Sequence, residues 1–161
     1  MPQQKEGFKL VAENRKAFHD YFVLDRLEAG LVLTGTEIKA AREGHVQLRD
    51  SYADVLEGEA WLLNSHFSPY SHGNIYNHEP TKKRKLLLHR REIDKISGKA
   101  LEKGLTLIPL KMYLKNGLLK CEIGICRGKK EHDKRAAIKD RETAMEAKKA
   151  MSLRNSRHLN E

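Results

Sequence analysis

The dipeptide Asn116-Gly117 constrains the fold of this chain more than any other feature, because it stands between two largely apolar runs, residues 105–115 and 118–127. Both central residues of a type I′ turn need positive φ, which Asn and Gly adopt readily. The sequence therefore predicts a β-hairpin whose two-residue turn fixes the register. The predicted opposite pairs are Met112 with Cys121, Leu114 with Leu119, Leu110 with Ile123 and Ile108 with Ile125. One face is then apolar and belongs in a core, while the other carries Lys111, Tyr113, Lys115, Lys120 and Glu122.

Shorter elements precede this hairpin. The pattern predicts one or two strands over residues 21–33 with a break or bend near Gly30, and a helical turn over 37–42 that Thr34 caps and Gly44 ends. It further predicts paired strands over 52–56 and 60–66, an irregular segment over 68–81, a strand over 86–88 and a helix over 90–103. Five or six short strands with one interior helix indicate a mainly β fold with short helices, an antiparallel β-barrel of the oligonucleotide-binding type.

The composition divides the chain into three parts. Residues 1–12 are polar and lack periodicity, so we expect a flexible N-terminal lead. Residues 13–128 form the predicted barrel, and residues 129–161 a basic C-terminal tail. Residues 127–161 hold eleven Lys and Arg against six Asp and Glu, with Ile138, Met145 and Met151 thinly spaced. Such a segment buries too little to fold alone, so we expect disorder in solution and a helix on a partner.

The net charge of +9, with a pI near 9.6, predicts a polyanionic partner, and nucleic acid is the first candidate. An acidic membrane surface is the rival. The sequence has no run approaching the ~20 apolar residues of a membrane span, and its N-terminus lacks an apolar signal segment. We therefore expect a soluble, cytoplasmic protein, and a monomer.

The residue pattern gives little support for a catalytic site or a metal-binding site. Cys121 and Cys126 lie five apart in one predicted strand, on opposite faces, so they do not pair. The scattered histidines offer no metal-ligand spacing, and we expect no metal or cofactor. A metal-dependent nuclease site would need carboxylates that converge on a cation, and the candidates lack the spacing of a recognisable metal loop: Glu28, Glu37, Asp50 and Asp54. The sequence favours a protein that is not an enzyme.

Basic residues interleaved with aromatic ones are typical of RNA-binding surfaces, since cations hold phosphates and rings stack on bases. The outer face of the predicted hairpin has this mixture, and so does the segment Asn14-Arg15-Lys16-Ala17-Phe18-His19-Asp20-Tyr21. Several such clusters in one small basic protein predict RNA binding.

Together the motifs make a recognisable set, and the chain resembles the SmpB family of SsrA-binding proteins. Beside the segment from Asn14 to Tyr21, the motifs are Glu28-Ala29-Gly30, Gly35-Thr36-Glu37-Ile38-Lys39, Asp50-Ser51-Tyr52, Arg84-Lys85-Leu86-Leu87-Leu88-His89 and Gly128-Lys129-Lys130 with His132-Asp133-Lys134-Arg135. Their order and spacing match the family over about residues 12–142.

The resemblance implies an oligonucleotide-binding barrel that holds the tRNA-like domain of transfer-messenger RNA and brings it to stalled ribosomes in trans-translation. By motif position, Glu28, Leu87 and His89 would meet the RNA elbow. Further RNA contacts would come from Asn14, Arg15, Lys16, His19, Tyr21, Lys39, Lys120, Arg127, Lys129 and Lys130. The basic outer face of the hairpin adds Lys111 and Lys115 as predicted RNA contacts. His132 would lie near the decoding centre, and the tail would become helical in the empty messenger channel through Lys134, Arg135, Ile138, Lys139, Arg141 and Met151.

Two other functions stay open on sequence alone. One is a general ribosome- or single-strand-RNA-binding module without specificity for transfer-messenger RNA. The other is the metal-dependent nuclease already described.

Overall fold

A computed structural model describes residues 7–70, 77–130, 139 and 141–151. The chain divides into two units, residues 1–128 and 129–161. The first unit holds three helices and nine strands among its described residues: β1 (Phe8–Glu13), α1 (Arg15–Asp20), β2 (Tyr21–Leu31), α2 (Gly35–Arg42), β3 (Val46–Gln47), β4 (Tyr52–Leu56), β5 (Glu59–Leu63), β6 (His66–Phe67), β7 (Arg84–Leu87), α3 (Arg90–Leu101), β8 (Leu105–Lys115) and β9 (Leu118–Gly128).

The predicted barrel is confirmed. Neighbouring strands pair in the order β8, β4, β5, β7, β2, β9, and β9 pairs again with β8, which closes the ring. All of these pairings are antiparallel. The core inside the ring includes Leu62, Leu86, Met112, Ile123 and Ile96 of α3, all fully buried. Closure pairs the strand edges with one another, as small β-barrels require.

The hairpin at Asn116-Gly117 is confirmed, with φ of 51° and 79° at its two turn residues. Met112 stands opposite Cys121 and Leu114 opposite Leu119, as predicted. The two other predicted pairs are wrong, because the register shifts between Pro109 and Lys111. The observed partners are Pro109 with Ile123 and Leu107 with Ile125. Proline has no N–H to give to the ladder, and a bulge at this point accommodates it.

The bulge sends Leu110 and Ile108 to the outer side of the barrel, where they form a second, smaller core with Ala17 of α1 and Cys126. Gly124 makes room for Leu110, since a Cβ on Gly124 would lie 2.8 Å from the Leu110 Cδ1 atom. Cys121 lies in the main core, so the two cysteines are on opposite faces as predicted. Burial raises the pKa of Cys121 to about 12 and that of Cys126 to about 11.

The prediction of a flexible N-terminal lead is wrong for the residues that form β1. Residues 1–12 were expected to be flexible, yet Phe8–Glu13 forms β1 and pairs with β8, with Phe8 opposite Lys115. The ring of Phe8 lies on that of Tyr113, with centroids 4.9 Å apart. Residues 1–6 lie outside the described residues.

The strand predicted over 60–66 is wrong in its second half: β5 ends at Leu63, Asn64 has a φ of 61°, and His66 belongs to β6, which pairs with β3. The strand predicted over 86–88 is Arg84–Leu87, and the other elements follow the predictions more closely. Thr34 caps α2 by accepting the N–H of Glu37, and the Glu37 side chain accepts the N–H of Thr34. Residues 21–31 form one strand, whose register shifts between Val23 and Asp25 rather than at Gly30. The predicted helix over 90–103 is α3 and ends two residues early. Helix α1 was not predicted. Of the irregular segment 68–81, residues 71–76 lie outside the described residues.

In the second unit, residue 139 and residues 141–151 are helical and exposed. Their exposed side chains include Met145 and Met151, which are 60% and 69% exposed. Disorder of this tail in the free protein stays a prediction.

Candidate RNA interface

Four predicted RNA contacts meet in one open groove, which we call the Glu28 groove. It has a volume of about 390 Å³ and is lined by Glu28 and Gly30 of β2, Leu87 of β7, Leu88, His89, Glu92 of α3 and Lys120 of β9. Gly30 lets β2 and β7 approach closely, because an added Cβ there would lie 3.3 Å from the Leu87 Cβ atom. Leu87 is half exposed and shares the groove with the acidic side chain of Glu28 and the basic side chain of Lys120.

Glu28 is an ionised acceptor in this groove. Its carboxylate accepts a hydrogen bond from the hydroxyl of Tyr113 and lies 3.6 Å from the Lys115 ammonium. The Tyr113 bond, with help from Lys115 and Lys120, outweighs the cost of burial and holds the pKa of Glu28 below its ordinary value. A carboxylate in this state can accept hydrogen bonds from amino groups of bases or from ribose hydroxyls.

Basic side chains follow the outer face of β8 and β9 next to the Glu28 groove. Tyr113 is opposite Lys120 and Lys111 is opposite Glu122, as the predicted register required. The Glu122 carboxylate lies 3.5 Å from Lys111 and 3.1 Å from Arg26. One carboxylate therefore draws two cations together on this surface.

A second group of predicted residues surrounds α1, and we call it the α1 patch. It is an open groove of about 460 Å³, lined by Glu13, Asn14, Arg15, Lys16, His19, Asp20 and Arg49. Lys16 pairs with Asp50 at 3.0 Å, and His19 with Asp20 at 2.8 Å. The pair of Lys16 with Asp50 is exposed and contributes little to stability, so the Lys16 ammonium can exchange it for a phosphate.

Asn14 differs from its predicted role as a direct RNA contact. Its side chain is buried, donates to the carbonyls of Leu48 and Pro109, and accepts the N–H of Ala17 as the cap of α1. Every polar atom of the amide is thus used inside the fold. Asn14 positions α1 and thereby sets the directions of Arg15, Lys16 and His19.

Tyr21 lies beside the α1 patch, because it lines a further groove together with Asn14, Lys16 and Asp20. Lys39, Arg127, Lys129 and Lys130 line neither the Glu28 groove nor the α1 patch. Tyr21 is half buried against the smaller core. The Lys39 ammonium lies 5.2 Å from the centre of the Tyr70 ring, and the Arg127 guanidinium 5.5 Å from that of Phe22. Lys129 and Lys130 begin the second unit. In the tail, Lys139, Arg141 and Met151 are exposed in the helix, whereas His132, Lys134, Arg135 and Ile138 lie outside the described residues.

Sequence reasoning missed Arg26 and Arg49, whose positions become evident only once β2 and α1 are folded. It also grouped Arg84 with the basic run Lys82-Lys83-Arg84-Lys85. In the structure Arg84 is buried and pairs with the buried carboxylate of Glu37, which also lies 3.2 Å from the Lys82 ammonium. Glu37 therefore serves the fold, and its neighbours explain why it can be ionised there.

The four carboxylates weighed as a nuclease site do not come together. Glu37 pairs with Arg84, Asp50 with Lys16, and Glu28 with Tyr113, while Asp54 accepts the N–H of Val55. Within residues 7–70, 77–130, 139 and 141–151, no three His, Cys, Asp or Glu side chains are grouped so that they could hold a metal ion. In the same ranges, no helix is long and apolar enough to cross a membrane.

Comparison with known protein families gives one match over most of the chain: the family model described as SmpB protein matches residues 11–153. The chain belongs to the SmpB family. Both grooves lie inside the matched region, and so do the described tail residues.

Curated relatives carry the description SsrA-binding protein. That of Desulfitobacterium hafniense is 58% identical over 141 residues, which cover 88% of this chain and 90% of the relative. That of Carboxydothermus hydrogenoformans is 53% identical over 146 residues, covering 91% and 98%. A similar solved structure, described as "tmRNA-SmpB: a journey to the center of the bacterial ribosome", is 44% identical with a TM-score of 0.64. That match covers 78% of this chain and 92% of the solved one.

Proposed function

We propose that this chain binds the tRNA-like domain of transfer-messenger RNA, also called SsrA RNA, and delivers it to stalled ribosomes in trans-translation. It acts by binding rather than by catalysis, and it works in the cytoplasm with its two partners, transfer-messenger RNA and the ribosome.

The observation that carries the proposal is the convergence of Glu28, Leu87, His89 and Lys120 in one groove of a family member. A carboxylate, an exposed leucine, an imidazole and an ammonium together offer acceptors, an apolar contact and hydrogen-bond donors. This mixture suits the exposed bases and backbone of a folded RNA loop better than it suits a regular duplex, whose deep major groove side chains cannot read.

The tail adds the second step. Its exposed helical residues carry several cations, including Lys139, Arg141, Lys148 and Lys149. An empty messenger channel is a narrow polyanionic tunnel, and a basic helix of about 10–12 Å diameter gains counterion-release energy by entering one. An occupied channel excludes it. The tail thus distinguishes ribosomes that have run off their message from those that are still translating.

Binding selectivity tests the proposal. The chain should bind the tRNA-like domain of transfer-messenger RNA in a mobility-shift titration at rising salt, with bulk tRNA as the matched competitor. Shape-specific contacts survive added salt better than phosphate contacts do, so the preference for the tRNA-like domain should persist as overall affinity falls.

Equal loss of both complexes would instead favour the general RNA-binding module. Cleavage of either RNA on addition of magnesium would favour the nuclease. Either result would overturn the proposal.

A further inference from the structure

The carboxylate of Glu28 is held within its groove by two side chains of β8, the hydroxyl of Tyr113 and the ammonium of Lys115. Tyr113 of β8 reaches across β9 and donates its hydroxyl hydrogen to the Glu28 Oε2 atom on β2. In the register, Glu28 is opposite Glu122, and Tyr113 is opposite Lys120, two residues away along β9. The phenol therefore bridges the outer surface of three consecutive strands.

Tyr113 is itself held in place from several sides. It is only 5% exposed although it lies on the outer face of the barrel, since Phe8 of β1 lies against its ring at 4.9 Å. The Lys111 ammonium lies 5.8 Å from the ring centre. Burial and the Glu28 carboxylate raise the pKa of Tyr113 well above its ordinary value, so the phenol remains a donor at every physiological pH.

We infer that Tyr113 is a positioning residue for RNA recognition: it fixes the Glu28 carboxylate so that its free lone pairs face the groove, and β1 preserves this arrangement by covering Tyr113. This inference rests on the proposed function. It assigns Tyr113 and Phe8 roles that the family motifs do not cover, since both residues lie outside those motifs.

The physical basis is the restricted freedom of the carboxylate. A carboxylate has about four acceptor sites, and Tyr113, which is not among the residues that line the groove, occupies one of them. With that hydroxyl absent, the partly exposed Glu28 side chain would rotate among several rotamers or turn toward the Lys115 ammonium. RNA binding would then have to restrict it again, at the cost of affinity.

A double-mutant cycle tests the inference, with the tRNA-like domain of transfer-messenger RNA as the probe. Tyr113→Phe keeps the ring on Phe8 and removes the hydroxyl alone. We expect it to weaken RNA binding about three- to tenfold in a chain that has Glu28, a loss equal to the net contribution of one ordinary hydrogen bond. In a Glu28→Ala background, the same change should leave affinity unaltered.

The pH profile gives a readout that a merely structural role would not move. Removing the hydroxyl raises the pKa of Glu28, so the loss of RNA affinity on acidification should begin at a higher pH in Tyr113→Phe than in the parent. Lys115, Lys120 and Glu122 face the same carboxylate from β8 and β9, and His89 and Glu92 share its groove. All five are present in both proteins, so the difference between the two profiles reports on Glu28.

Two results would overturn the inference. One is equal weakening by Tyr113→Phe with and without Glu28, which would indicate a general effect on the fold. The other is a Glu28 carboxyl pKa at its ordinary value in the unmodified chain, measured by carbon-detected NMR. If Glu28→Ala by itself left RNA binding unchanged, the proposed site would fail, which is a different outcome from failure of the positioning role.

Discussion

At the residue scale, the same side-chain type serves two opposite purposes in this chain. Glu28 and Glu37 both have pKa values below the ordinary one, but Glu28 opens onto a groove while Glu37 is fully buried. Arg84 differs from its lysine neighbours in the same way, because Arg84 is buried although they carry the same charge. A sequence gives the charge of such residues and not their depth, since depth depends on which strands later meet.

Glu28→Ala should weaken binding of the tRNA-like domain about tenfold or more, because it removes an ionised acceptor from the groove. Glu59→Ala is the matched control, since Glu59 is a half-exposed glutamate on β5 that pairs with Lys85 at 3.1 Å. Isothermal titration of both variants measures the effect, and thermal unfolding checks that the fold is retained. Equal affinities of the two variants would contradict the role of Glu28.

Glu37→Gln should lower the free energy of unfolding by about 3 kcal/mol, because it leaves the Arg84 guanidinium buried without its counter-charge. Urea unfolding measures this loss. Glu43→Gln is the control, since Glu43 is exposed at the end of the same helix and should change stability little.

The pH dependence of the same variant follows from the pKa of Glu37. Burial raises that pKa, but the Thr34 amide, Arg84 and Lys82 lower it by more. A carboxyl whose pKa is lowered by folding stabilises the folded state above its unfolded pKa, and this contribution is lost as the pH falls through its folded pKa. The parent chain should therefore lose stability on acidification more steeply than Glu37→Gln. Parallel curves would count against an ionised Glu37.

At the element scale, the hairpin was predictable and its bulge was not. Asn116-Gly117 determines the turn by local backbone preference, so the register near the turn follows from the sequence alone. Farther along, residues 107–110 are all apolar, and both faces of β8 are buried there. Either register would bury apolar side chains, so alternation gives no signal of the shift. Strand β1 was not predicted for the opposite reason. Its residues are mostly exposed, so they bury too little apolar surface to give a clear hydrophobic pattern in the sequence.

Gly124→Ala tests the bulge. Its new methyl group would lie 2.8 Å from Leu110 Cδ1 and 3.0 Å from Cys126 Sγ, and relieving this overlap should cost about 1–3 kcal/mol of stability. Gly98→Ala in α3 is the matched control, since nothing lies within 4 Å of its added methyl group. There the change should stabilise the chain by about 0.5–1 kcal/mol. Chemical denaturation of both variants measures the contrast, and a harmless Gly124→Ala would contradict the packing of Leu110 on Gly124.

At the scale of the whole molecule, we expect the first unit and the C-terminal tail to have different functions that can be tested separately. A chain truncated after residue 135 should keep nearly all of its affinity for the tRNA-like domain, because both grooves are in the first unit. The same chain should fail to support tagging of stalled peptides in a reconstituted translation reaction, because the basic helical segment is gone. RNA affinity of the truncated chain serves as the internal control. Normal tagging would refute the role of the tail.

The family resemblance predicted the residues of the Glu28 groove, and local pattern could not have done so. Leu87 and His89 are about sixty residues from Glu28 along the chain, and only closure of the barrel brings them together. Basic clusters, by contrast, could be read from composition, since charge needs no partner to be visible.

The extent of strand pairing differs from place to place around the barrel. Strands β8 and β9 form a long ladder, whereas β4 meets β8 at a single opposed pair, Ala53 with Leu107. Helix α3 packs against both strands at that seam and places the buried Ile96 in the core. Side-chain packing, more than backbone hydrogen bonding, therefore keeps the barrel closed between β4 and β8. Solvents that weaken apolar packing should therefore separate β4 from β8 first. Strands β2, β9 and β8, which present Glu28 to RNA, should remain paired.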